Sequence, residues 1–130
     1  MGKERPQTVV LDAGALIAFE RGDDRMRALV RLALRTGSTL LVPAGVVAQV
    51  FRDGSRHARL RALLNGATTA VPVLDQVFAE AAGRLCGRTG TSDVIDASVI
   101  LTARRAHAPV VTSDIDDLRR LDPSVRLERV

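Results

Sequence analysis

The chain is poor in aromatic residues, with three Phe, no Tyr and no Trp among 130 residues. Binding of nucleic-acid bases by stacking on aromatic platforms is therefore not its expected mode of recognition. There is one cysteine, Cys86, so an internal disulfide is excluded, and Cys86 with the distant His57 and His107 does not form a zinc set. A reducing, cytoplasmic setting is expected. No apolar run reaches the roughly 18 residues that a membrane-spanning helix needs. Met1 to Thr8 is polar and charged, unlike a signal peptide. Lysine is nearly absent too: of 19 basic residues only Lys3 is not Arg. No GxxxxGK[ST] string exists, which excludes a P-loop NTPase. A receiver-type phosphoacceptor domain needs a lysine late in the chain, and none is there. Neither GxSxG nor GxGxxG occurs, which weakens hydrolase and dinucleotide-binding readings.

Hydrophobic residues make up 46% and charged residues 26%, ordinary proportions for a globular protein. The length fits one domain, residues 1–130, able to bury roughly two-thirds of the surface its unfolded chain exposes. Basic residues exceed acidic ones by four, with a pI near 10.8. The Arg surplus reads either as compositional bias toward Arg and Ala or as affinity for phosphate, whose oxygens suit the planar guanidinium fork.

Val9 to Leu11 is a short β-branched-rich run expected to form a buried strand stopping at Asp12. Ala13 to Glu20 follows as a helix ended by Gly22, and Asp24 to Arg35 as an amphipathic helix stopped by Gly37. Thr39 to Val42 reads as a second strand, and Pro43 suits the first turn of a helix to about Arg52. Arg56 to Leu64 is a further helix, Thr69 to Val73 a third strand, and a helix then runs to about Arg88. Asp93 to about Ala106 is the most apolar helix, Pro109 to Thr112 a fourth strand, and Ile115 to Leu121 a short helix. The tail from Val125 alternates apolar and charged residues, as an edge strand does. The pattern predicts an α/β fold with a central, mostly parallel sheet of about five short strands flanked by helices.

In such a sheet ligands sit beyond the carboxyl ends of the strands. Asp12 and Asp114 stand at two of those ends, and Asp96 lies in the first turn of the helix feeding the fourth strand, one turn after Asp93. Each has a plainer reading. Asp12 suits a turn or cap, Asp93 and Asp96 suit an N-cap with its N3 partner, and Asp114, Asp116 or Asp117 suits the cap of the last helix. Jointly, converging carboxylates repel one another, and a divalent cation offsets that repulsion. An oxygen-only set of Asp12, Asp93, Asp96 and Asp114 suits Mg²⁺ or Mn²⁺, ions that activate water and stabilise phosphoryl transition states. Neutralising those four acids raises the net charge of the rest from +4 to +8, which favours a polyanionic substrate.

Three stretches resemble a known family. Val9 to Ala18 (VVLDAGALIA) is similar to the opening motif of PIN domains, and Asp96 to Ile100 (DASVI) and Pro109 to Asp114 (PVVTSD) are similar to its third and fourth motifs. The 18-residue separation of Asp96 and Asp114 is also similar, and the resemblance spans roughly residues 8–130. The compact size resembles the VapC-type toxins of bacterial toxin–antitoxin pairs. The resemblance implies a single PIN-like domain with Mg²⁺-dependent endoribonuclease activity on cellular RNA. Asp12, Asp96 and Asp114 would be its metal-site and catalytic acids, and a VapB-type antitoxin its inhibitor. One position departs: where the family's second motif carries Glu, the run from Val42 to Arg52 (VPAGVVAQVFR) has Gln49. Asp93 is the expected replacement for that charge, with Asp116 or Asp117 as further candidates. Gln49 also keeps open a catalytically impaired RNA- or protein-binding module, and a DNA-directed nuclease is a third option.

The Arg27, Arg31, Arg35 row and the Arg56, Arg59, Arg61 cluster read chiefly as solvated helix faces, with phosphate or partner binding as the alternative. Arg104 and Arg105 suit a helix C-terminus. His57 and His107 read as surface or loop residues. Amphipathic helices around Leu29 and Leu60 leave apolar surface for a partner, and a homodimer is expected.

Overall fold

A computed structural model describes residues 5–52 and 57–130. Among the described residues five strands form one sheet in the order β3-β2-β1-β4-β5. They are β1 (Thr8–Leu11), β2 (Thr39–Leu41), β3 (Thr69–Ala70), β4 (Val110–Thr112) and β5 (Leu127–Arg129). Every pairing is parallel, so the mixed sheet that the sequence left open does not occur. The helices are α1 (Ala13–Glu20), α2 (Asp24–Thr36), α3 (Ala44–Phe51), α4 (Ala58–Leu64), α5 (Gln76–Thr89), α6 (Val94–Ala106) and α7 (Ile115–Leu121). Among the described residues no helix is long and apolar enough to cross a membrane.

Parallel strands covered on both faces must be apolar along their length. Val10, Leu11, Leu40 and Val110 are accordingly fully buried, against Leu16 of α1, Ile100 of α6 and Leu118 of α7. Local chemistry sets the helix ends. Asp23 accepts from Met26 N at 2.9 Å and Asp75 from Phe78 N at 2.9 Å, each an N-cap. Gly37 and Gly90 close α2 and α5 in the left-handed region, with φ of 71° and 69°.

Several boundaries differ from the sequence reading by a residue or two, β2 ending at Leu41, α6 starting at Val94 and β5 spanning Leu127–Arg129, and three further ones have a local cause. β3 stops at Ala70 rather than Val73, because Pro72 has no N–H to give the ladder; its carbonyl accepts instead from Ala44 N at 3.2 Å. Pro43 takes the N-cap position of α3, not its first turn, and its carbonyl accepts from Val46 N at 2.9 Å. Helix α4 begins at Ala58 with His57 at the cap position, and Arg56 lies outside the described residues. Arg104 does more than face a helix dipole: its Nε donates to Asp122 Oδ2 at 2.6 Å and ties α6 to the segment after α7.

The topology selects one place on the sheet. From β1 the chain winds outward through β2 and β3, then crosses to β4 on the other flank of β1 and continues to β5. β1 and β4 are therefore the strands at which the winding reverses. The crevice beyond their carboxyl ends is where such sheets hold ligands.

Candidate active site

Asp12 follows β1 directly and Asp114 lies two residues beyond β4. The register pairs Leu11 with Val111, and Asp12 N donates to Val111 O at 3.1 Å. This brings Asp12 level with Thr112, whose hydroxyl donates to Asp12 Oδ2 at 2.8 Å. The same hydroxyl accepts from Asp114 N at 2.8 Å. Thr112, fully buried, thus joins the two acidic strand ends. Asp12 Oδ1 accepts from Ala13 N at 2.7 Å, so the capping role expected of Asp12 is present as well. Asp114 occupies the cap position of α7 but makes no capping bond, which leaves its exposed carboxylate to other uses.

Asp93 is the N-cap of α6. Its Oδ1 accepts from Ile95 N and Asp96 N, both at 3.0 Å. Asp96, one turn on, is buried. An open cleft of about 390 Å³ has Asp93, Asp96, Asp117 and Arg120 in its lining, with the loop at Thr91 and Ser92. Asp117, not Asp116, is the α7 acid that enters it. A groove of similar size, about 370 Å³, lies at the amino ends of β1 and β2 beside Leu29, Leu32 and Ala33, and its lining is mainly apolar.

Electrostatics shows which acids the fold gathers. Burial pushes the Asp96 carboxyl from 3.8 up to about 7, helped by the charges of Asp93, Asp12, Asp114 and Asp117 in that order. Burial also raises Asp12; hydrogen bonds from Thr112 and Ala13 oppose the rise, and the charges of Asp114 and Asp93 add to it. Asp12, Asp93, Asp96 and Asp114 are therefore electrostatic neighbours, as their positions at the strand ends and the start of α6 lead one to expect. They do not close into a ready chelate: among the described residues no three of His, Cys, Asp and Glu stand in metal-holding array.

Gln49 sits on α3, one turn after Gly45 and so on the same side of the helix. A Cβ placed on Gly45 would meet Ile95 Cγ1 at 3.3 Å, so this side of α3 faces the start of α6, next to Asp96. Helical side chains lean toward the helix N-terminus, which for α3 is the carboxyl end of β2. The Gln49 Oε1 is buried and has no hydrogen-bond partner among the described residues. A buried acceptor without a donor is costly, and a cation is one complement to it. The oxygen-only donor set and this unpaired carbonyl fit a hard divalent ion.

The PIN domain family model matches residues 9–123. That span holds β4, all of β1 but Thr8, and Asp12, Asp93, Asp96 and Asp114. The chain belongs to the PIN domain family. PIN domains are nucleases. None of the curated proteins matches the chain in sequence. The PIN fold seen here is similar to solved structures of toxin–antitoxin proteins. One is VapBC2 from Rickettsia felis bound to a DNA fragment from its promoter, at 16% identity and TM-score 0.70, covering 95% of this chain and 98% of that one. Another is FitAcB from Neisseria gonorrhoeae, at 19% identity and TM-score 0.65, covering 92% and 95%. A third is VapC20 from Mycobacterium tuberculosis, a toxin that cleaves the sarcin–ricin loop, at 16% identity and TM-score 0.60, covering 78% and 86%.

Three residues of this PIN domain's site had no role in the sequence reading. Thr112 and Gly14 lie within the motifs that carried the resemblance, and Arg120 was not singled out. Gly14 explains how α1 approaches the turn after β4. A Cβ there would overlap Ser113 Oγ and lie 2.8 Å from Ser113 Cβ and 3.1 Å from its backbone nitrogen. Gly14→Ala is expected to destabilise the domain. Alanine gains roughly 0.5–1 kcal/mol over glycine inside a helix, but overpacking costs about 1–3 kcal/mol. Adding Ser113→Gly should restore part of the loss in urea denaturation. A Gly14→Ala protein as stable as wild type would show that the approach is not tight.

Proposed function

We propose that this chain is a Mg²⁺- or Mn²⁺-dependent endoribonuclease, the toxin of a type II toxin–antitoxin pair. The observation that carries the reading is the gathering of Asp12, Asp96 and Asp114 at the strand ends where the winding of the sheet reverses, with Asp12 and Asp96 both raised above the usual carboxylate range. Family membership supports nuclease chemistry, and the similarity to a toxin that cleaves the sarcin–ricin loop favours RNA over DNA as substrate. Asp12, Asp96 and Asp114 would hold the metal and act as the catalytic acids. Asp93 would add charge through the carboxylate oxygen that its cap leaves unused, and Gln49 a neutral oxygen. When bound, the ion would lower the pKa of its water and neutralise charge on the phosphoryl group. Thr112 orients the Asp12 carboxylate and, through the Asp114 N–H, fixes the turn that carries Asp114. Burial of Asp96 keeps bulk water from screening its charge.

The partner would be a VapB-type antitoxin, since the structures similar to this one include toxin–antitoxin complexes. Val71, Val73, Leu74 and Val77 form an exposed apolar run after β3. Beside it a groove of about 490 Å³ is lined by Val47, Phe51, Leu64 and Val71. These surfaces suit an amphipathic antitoxin segment or the second subunit of a homodimer. The proposed compartment is the cytoplasm.

A second reading has one observation in its favour: Gln49 brings no charge, which fits a PIN domain that binds RNA or protein without cutting. Incubation of purified protein with total RNA and, in parallel, with DNA, each with and without Mg²⁺, separates the readings. Cleavage is expected only with the metal, and Asp12→Asn should abolish it. RNA left intact in every arm selects the non-catalytic reading, and cleavage of DNA alone selects a DNA-directed nuclease.

A further inference from the structure

Arg120 lies on α7 and, among the described residues, is the one cation lining the cleft that contains Asp93, Asp96 and Asp117. It is exposed, and its guanidinium has no hydrogen bond or ion pair among the described residues, although Asp117 stands one turn before it. By contrast, Arg84, Arg104 and Arg126 each pair with a carboxylate. Resting on the nuclease reading above, we propose that Arg120 seats a non-bridging oxygen of an RNA phosphodiester at the α7 side of this cleft.

A cleft floored by carboxylates repels phosphate unless positive charge offsets them on more than one side. A divalent ion among the aspartates supplies one such charge, and Arg120 supplies another without needing the ion. Its guanidinium is planar and always charged, and its N–H fork matches a pair of phosphate oxygens. Thr91 and Ser92 add neutral hydroxyls to the same lining, the kind of group that completes contacts to a sugar–phosphate backbone. The competing use of Arg120 is to complement the C-terminal dipole of α7. That use applies equally to Arg119, which is exposed, sits in the same turn and does not line the cleft. Arg119 is therefore the control.

The test measures binding of a fluorescent single-stranded RNA to an Asp12→Asn parent over a range of salt, with Arg120→Ala, Arg120→Lys and Arg119→Ala added in turn. Arg120→Ala should weaken binding about tenfold, as loss of a charged hydrogen bond does. It should also reduce the slope of log affinity against log salt by about 0.7, the value for one phosphate on a single strand. Arg120→Lys should recover part of the affinity, and Arg119→Ala should change it by no more than about twofold. In the otherwise wild-type protein, Arg120→Ala should raise KM for RNA more than it lowers kcat. Unchanged affinity and slope in Arg120→Ala, or an equal loss in Arg119→Ala, overturns the inference. So does weaker binding of a polyglutamate peptide with RNA affinity unchanged, which would assign Arg120 to an acidic protein segment. A wild type that never cleaves RNA but binds it through Arg120 sinks the nuclease reading and leaves this inference standing. An active wild type whose KM and RNA affinity ignore Arg120 does the reverse.

Discussion

Asp96→Asn is expected to end RNA cleavage while raising the thermal midpoint of the metal-free protein. Loss of a partner behind a metal ligand already costs about 10–100-fold in affinity or activity, so loss of a ligand carboxylate should cost at least the upper figure. The stability effect has the opposite sign because burial, helped by the charges of Asp93, Asp12, Asp114 and Asp117, pushes the Asp96 carboxyl up to about 7. In the unfolded chain the same group titrates near 3.8. The folded protein therefore binds this proton more tightly than the unfolded chain does. The stability it contributes is fully present below the unfolded value and is lost as pH rises through the folded one. In EDTA the wild type should melt higher at pH 5.5 than at pH 8, and Asp12, also raised, contributes with the same sign. Asparagine keeps the shape and carries no charge to repel, so Asp96→Asn should melt above wild type at pH 8 and show a shallower pH dependence. Added Mg²⁺ should raise the wild-type midpoint more at pH 8, where protons compete less for the carboxylates. Wild-type turnover in the mutant would remove Asp96 from the metal site. A mutant that melts far below wild type would mean that Asp96 serves the fold.

The acidic strand ends were legible because apolar runs stopping at an Asp mark the carboxyl ends of buried parallel strands, and Asp12 and Asp114 both have that signature. Asp93 and Asp96 were legible as a pair from helical spacing alone. Their division of labour was not, since a cap bond and a metal-facing carboxylate look the same in a sequence. The structure gives the cap to Asp93 and burial to Asp96. Thr112 and Asp12 are 100 residues apart, and only the β1–β4 pairing reveals that one hydroxyl serves both acids. The close approach of Gly14 to Ser113 is likewise a product of the β1–β4 pairing, which sets the start of α1 against the turn after β4. Arg120 could have been flagged by its spacing of three from Asp117, but which face of so short a helix turns to the cleft depends on how α7 packs on α5 and α6. Thr69 to Val73 is apolar enough for a longer β3, but in the sheet the missing N–H of Pro72 decides.

Gln49→Glu is expected to tighten Mg²⁺ or Mn²⁺ binding by about ten- to a hundredfold. Gln49 lies on the side of α3 that meets the start of α6, and its carbonyl oxygen is buried without a partner. Glutamate is nearly isosteric, so the exchange replaces a neutral oxygen by a charged one with little repacking. Two unit charges 4 Å apart interact by about 4 kcal/mol at an effective dielectric of roughly 20. The attraction between a divalent ion and one new carboxylate is of that order or larger. Part of it is cancelled in advance, because the new charge repels Asp12 and Asp96 in the metal-free state. Desolvating the carboxylate takes a further share, and a net gain of about 1.4–2.7 kcal/mol corresponds to the stated range. The cancellation is itself measurable. In EDTA the Glu variant should melt below wild type, and it should gain more in midpoint on adding Mg²⁺. Calorimetric titration of both proteins at one salt concentration reads the affinity directly. Equal affinities, with equal melting in EDTA, would place Gln49 outside the metal's reach and leave its unpaired oxygen to a water. Tighter binding with no gain in RNA cleavage would mean that charge at this position governs occupancy of the site and not its chemistry.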